Sequence, residues 1–134
     1  KILPAFGAER LERMFAARSF LDAGVKVSAH SDHHASPYPP LMGIHALVNR
    51  RTAKAQPIGE SQKISVMEAL RLYTINAAYH SFEEDLMGSI EPGKYADMVV
   101  LGRDILTVPT ETIINIPIDM TIVGGRIVYQ RSAS

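Results

Sequence analysis

A chain of 134 residues that is 46% hydrophobic and 21% charged can build one ordinary domain with a core, which excludes a disordered or fibrous protein. Lysine plus arginine and aspartate plus glutamate both count 14, so the net charge is zero and no long-range field draws the chain to nucleic acid or an anionic membrane. Cysteine is absent, which excludes disulfides and thiolate metal sites, and no apolar run nears the roughly 20 residues that span a bilayer.

No basic stretch followed by an apolar one has the form of a signal peptide, so the expectation is a soluble, cytoplasmic protein with small-molecule partners, no nucleic acid and no membrane. The chain opens on Lys1 and enters a Pro4-containing, partly apolar stretch, as an internal segment of a truncated protein would. From Ala8 to Ala23, Leu11, Met14, Phe15, Arg18 and Leu21 recur at helical spacing, with Glu9, Arg10, Glu12 and Arg13 opposite, and predict one amphipathic helix. Gly24 supplies the left-handed residue that closes a helix. Val25 to Ser31 then alternates as a strand does, with Val25, Val27 and Ala29 on one face and Lys26, Ser28, His30 and Asp32 on the other.

His33 to Pro40 contains three prolines and predicts a stiff loop, after which Leu41 to Arg51 reads as a short helix. Arg50 and Arg51 read as solvated charges at its carbonyl end. A polar stretch from Gln56 to Lys63 leads to Ser65-Val66-Met67-Glu68, the spacing of a capping box, and Met67, Leu70, Arg71, Thr74 and Ala78 continue a helix from it. Ala69, Ala77 and Ala78 allow that helix a close approach to a sheet, and Gly88 lies in the segment leaving it. From there Glu91 to Lys94 reads as a turn, Asp97 to Leu101 as a strand, Thr107 to Pro117 as a loop or frayed element, and Ile118 to Tyr129 as a hairpin about Gly124-Gly125.

The helix, glycine, strand order makes the class α/β, and in parallel barrels of that class the C-terminal strand ends point at the active site. Asp32 ends a strand on its polar face, where a carboxylate can ligate a divalent cation and act as general base toward water. The same residue could instead start an Asx turn or cap the next element, and taken alone it does not choose between the two. His30 sits about 6.5 to 7 Å along the strand from Asp32, too far to share an ion without a bend, and reads as a hydrogen-bonded histidine. His33, His34 and Tyr38 are candidate substrate contacts in the loop, with solvated or ordinary loop residues as the alternative. His45 and His80 read as structural. No GxGxxG, GxxxxGK or GxSxG pattern is present, so nucleotide and serine-hydrolase readings have no motif behind them.

Several of these segments form an ordered set: His30-Ser31-Asp32, the loop ending in Pro39-Pro40, Ser65 to Tyr79, Gly88-Ser89-Ile90-Glu91-Pro92-Gly93-Lys94-Tyr95-Ala96-Asp97-Met98-Val99-Val100-Leu101, and Thr121 to Tyr129. Together they resemble the C-terminal end of the metal-dependent amidohydrolases, and more narrowly the amidohydrolase-3 branch of YtcJ-like proteins. The resemblance implies the C-terminal fragment of a (β/α)8 TIM barrel, its last helix-strand-helix units over residues 1–86, followed over 87–134 by part of a small β-sandwich domain. It implies a hydrolase acting on carbon-nitrogen bonds in a small amide-type substrate, with one or two divalent ions, zinc above all, and a metal-activated water. Asp32 matches the strand-eight aspartate that contacts metal and shuttles the proton. Ser31 also matches, whereas His30 stands where the family usually has glycine.

The family's other metal ligands have no counterpart here and would belong to a missing N-terminal barrel portion. The resemblance therefore implies that these 134 residues are inactive and bind metal poorly alone. A strand eight without barrel neighbours offers an unpaired edge, so a homo-oligomer formed by edge pairing or swapping is a further expectation. Two other readings compete: a self-sufficient metal-binding module built on His30, Asp32, His33 and His34, and a non-catalytic protein-interaction module using the β-rich tail.

Overall fold

The computed structural model describes residues 2–132. Helix α1, Ile2–Glu12, is interrupted at Gly7 (φ 76°, ψ 160°), and helix α2, Ala17–Asp22, follows a turn in which Phe15 takes a left-handed conformation (φ 53°). The single helix expected from Ala8 to Ala23 is therefore two. Its periodicity is real, but the Met14 carbonyl, instead of serving a further helical turn, accepts from the Arg50 guanidinium at 2.6 Å. Gly24 (φ 73°) closes α2 as expected, its amide donating to Leu21 at 3.0 Å.

Residues 25–31 run extended without pairing as a strand, which corrects the sequence expectation. Alternation decides which side chains face the core, and Val27 and Ala29 do pack there. A strand also needs backbone partners, and this segment finds few: the Ala29 amide donates to Leu72 O at 3.1 Å. Side chains take over the rest, with Asn76 Nδ2 donating to Val27 O at 2.9 Å and His80 Nε2 to Lys26 O at 3.2 Å. His80 also meets Ser28 Oγ at 2.7 Å through Nδ1, so it is structural, as its sequence position suggested.

Helix α3, Pro40–Asn49, starts on a proline, whose fixed φ and missing amide suit a first turn. Helix α4, Val66–Tyr73, opens with the expected capping box: Ser65 accepts from the Glu68 amide, and the Glu68 carboxylate accepts from the Ser65 amide. The helix stops earlier than its periodicity predicts. Thr74 (φ −126°, ψ −100°) breaks it from α5, Ile75–His80, while its hydroxyl bonds back to Leu70 O at 2.8 Å.

Strands β1 (Met98–Leu101), β2 (Ile118–Val123) and β3 (Arg126–Gln130) form one antiparallel sheet in the order β1-β2-β3. The β2–β3 turn is the two-glycine hairpin read in the sequence, with both Gly124 and Gly125 at positive φ. Between β1 and β2 the expected loop contains a 3-10 helix, Thr110–Asn115, that packs on α3. Its Ile113, with Ile105 and Ile116, joins Ile44, Ala69 and Leu72 in one core. Gly88 (φ 89°) passes so close to α5 that a Cβ would lie 2.8 Å from Ile75 Cα, which fixes how the chain leaves the helices for the sheet.

Candidate active site

Asp32 follows that segment in the left-handed region (φ 51°), which bends the chain at its end. The Asp32 amide donates to His30 Nδ1 at 3.0 Å, and the Asp32 carbonyl accepts from Ala35 N. An Nδ1 that accepts leaves the ring proton on Nε2, so His30 orients the turn with one nitrogen and keeps the other free. Both bonds at Asp32 use its backbone. Its carboxylate has no hydrogen-bond partner among the described residues, and the side chain is exposed.

Asp32, His30 and Ser31 line an open cavity of about 700 Å³ whose remaining wall comes from α2, α3 with its cap residue Arg50, and α4, together with the chain around Phe15, Val27 and Ser36. That wall is mainly apolar, with Phe15, Phe20, Met42 and Leu47, and its polar side chains are Tyr73, Arg50, Ser28 and Ser36. Burial raises the Tyr73 hydroxyl above the ordinary tyrosine range. The Tyr73 ring lies over Gly43, where any Cβ would overlap its hydroxyl, so α3 carries glycine at this contact.

Arg50 departs from its sequence reading. It is buried, at 5% exposure, and occupies a left-handed C-cap (φ 51°) while its side chain reaches Gly59 O and Met14 O. Only Arg51 is a solvated helix-end charge, its Nη1 donating to Ala55 O at 3.0 Å. A doublet of arginines gives no hint of which one turns inward. Gly59 leaves room for the buried one, since a Cβ there would sit 2.5 Å from Arg50 Nη2.

His33, His34 and Tyr38 are exposed and are not among the residues lining this cavity. They form a small aromatic group, with His33 and His34 ring centroids 4.1 Å apart and Tyr38 edge-on to His33 at 5.6 Å. Among the described residues no three histidine, aspartate or glutamate side chains converge on a metal-sized point. A partner-free carboxylate suits one ligand position for a divalent ion. No helix is long and apolar enough to cross a membrane among the described residues.

The Amidohydrolase family profile matches residues 2–129. The N-substituted formamide deformylase of Arthrobacter pascens is 38% identical over 122 residues, covering 91% of this chain and 22% of that protein. The amidohydrolase-family protein YtcJ of Bacillus subtilis (strain 168) is 30% identical over 134 residues, covering 98% of this chain and 25% of its own length. In fold, the guanine deaminase of E. coli superposes with a TM-score of 0.66 at 22% identity, over 91% of this chain and 33% of that one. The chain thus spans about a quarter of the length of these curated relatives.

Proposed function

We propose, given that this chain belongs to the amidohydrolase family, that it is the C-terminal part of a hydrolase acting on carbon-nitrogen bonds of small amide-type molecules, with Asp32 in the site. The observation that carries this reading is the Asp32 carboxylate, free of protein partners on the wall of a cavity at the end of an extended segment. In this reading residues 1–86 complete a TIM barrel and residues 87–134 supply strands of a small β-sandwich. The formamide deformylase among its relatives makes N-substituted formamides the first compounds to test.

Asp32 would be this chain's ligand to a divalent metal, zinc first, with the other ligands from the rest of the protein. When bound, such an ion makes water acidic enough to attack at neutral pH. Asp32 takes the proton from the attacking water and returns it to the leaving nitrogen. His30 holds the Asp32 backbone so that the carboxylate keeps its direction. His33, His34 and Tyr38 would meet the substrate from the loop beyond.

In the intact protein Asp32→Asn should lower kcat by roughly 10²- to 10⁴-fold, the range of a lost general base, with little change in melting temperature. Full activity in that variant would end the proposal. A second reading, a protein-interaction module, draws on β3, whose residues are all exposed. It requires the intact protein's function to survive Asp32→Asn.

A further inference from the structure

Among the described residues Arg50 has no ion-pair partner. Nε and Nη2 donate to the neutral carbonyls of Gly59 and Met14 at 3.1 and 2.6 Å. Glu12, the carboxylate whose field reaches it, is exposed, accepts from Ser61 Oγ at 2.9 Å, and makes no ion pair with Arg50. Nη1 has no protein acceptor among the described residues. No fully buried side-chain nitrogen among them lacks a partner, so Nη1 keeps some solvent access, and Arg50 is one of the residues that line the cavity.

Burial lowers the affinity of this guanidinium for its proton, yet arginine stays charged. A charged group taken out of water gains most from a partner that carries the opposite charge and accepts hydrogen bonds. The neighbouring wall is apolar, from Phe15, Phe20, Met42 and Leu47, and suits a hydrocarbon or aryl body.

We propose that Arg50 is the anion-recognising end of this cavity, and that the natural ligand carries a carboxylate attached to an apolar body. An anion placed beside Asp32 would be repelled, so the ligand's charged end faces Arg50 and its neutral amide faces Asp32. As a statement about substrate this rests on the hydrolase reading, whereas as a statement about binding it stands apart from it.

Calorimetric titration of the chain with benzoate and with its neutral isostere benzamide tests the site. Benzoate should bind saturably and at least roughly tenfold more tightly than benzamide, the scale of one charge-assisted hydrogen bond. Arg50→Gln should remove that preference. Because Arg50 also braces the fold, two further measurements apply. Ala46→Leu, which narrows the cavity and leaves the Arg50 bonds in place, should weaken benzoate binding, and the Arg50 side-chain nitrogen resonances should shift with benzoate but not with benzamide.

Equal affinity for the two probes, an unchanged preference in a folded Arg50→Gln, or unmoved Arg50 resonances overturns the proposal. Asp32→Asn separates it from the hydrolase reading: in the intact protein that variant abolishes turnover if the enzyme reading holds, and it keeps benzoate binding if the Arg50 site is real. Retained turnover in that variant overturns the hydrolase reading, and lost benzoate binding overturns the Arg50 site.

Discussion

Glu68 accepts from the Ser65 amide, from Arg18 Nη1 at 2.7 Å and from the Ser65 hydroxyl, and these donors hold its carboxyl at about 2 against an ordinary 4.5. A folded-state value below the unfolded one stabilises the protein above the unfolded value, and that stabilisation is lost as pH falls through the folded one. Stability should therefore drop between about pH 4.5 and pH 2, and Glu68→Gln should flatten that part of the profile in urea titrations at a series of pH values. Ser65→Ala removes the other half of the capping box and should cost about 1 kcal/mol at neutral pH. Gly88 meets a different constraint, since alanine there combines positive φ with backbone 2.8 Å away at Ile75. Gly88→Ala should cost about 2 to 4 kcal/mol, read as a fall in the urea midpoint with an unchanged slope.

Residues 25–31 turn Val27 and Ala29 inward while the expected third member of that face, Val25, stays exposed, and among the described residues no strand lies beside them. Asn76 and His80 supply side-chain donors where a sheet would supply backbone ones. Asn76→Ala should destabilise the chain by about 1 kcal/mol and speed exchange of the Ala29 amide, because the Val27 carbonyl loses its donor. The Lys26, Val27 and Ser28 amides, which have no acceptor among the described residues, should exchange fast in this chain. Protection of those amides in a protein that contains this chain and further barrel strands would be the mark of a neighbouring strand. The breaks at Phe15 and Thr74 belong to this scale as well. Helical periodicity runs through both, but hydrogen bonding to Arg50 at the first and a back-bonded hydroxyl at the second end the helices early.

For the molecule as a whole, the exposed apolar residues are numerous and large: Phe82 is 91% exposed, Ile90 81% and Val128 60%. Surfaces of this kind associate. The isolated chain should therefore form concentration-dependent oligomers in light scattering, and a monomer at all concentrations would argue against edge pairing or swapping. Its zinc content after purification should be far below one ion per chain, because its carboxylate and histidines do not converge. Stoichiometric zinc would instead revive the self-sufficient metal module.

Wherever a feature depends on neighbours in the chain, the sequence by itself determined it: the capping box at Ser65, the closure of α2 at Gly24 and the two-glycine hairpin follow from conformational preferences spanning a few residues. The family followed from the ordered motifs between His30 and Tyr129. Only the tertiary structure decided that Arg50 turns inward while Arg51 stays in water, and that Asp32 and Arg50 border one cavity. It also decided that residues 25–31 stay extended without a ladder. These depend on acceptors contributed by Met14, Gly59 and Leu72, and one-dimensional patterning carries no record of which distant carbonyl will be left free to accept.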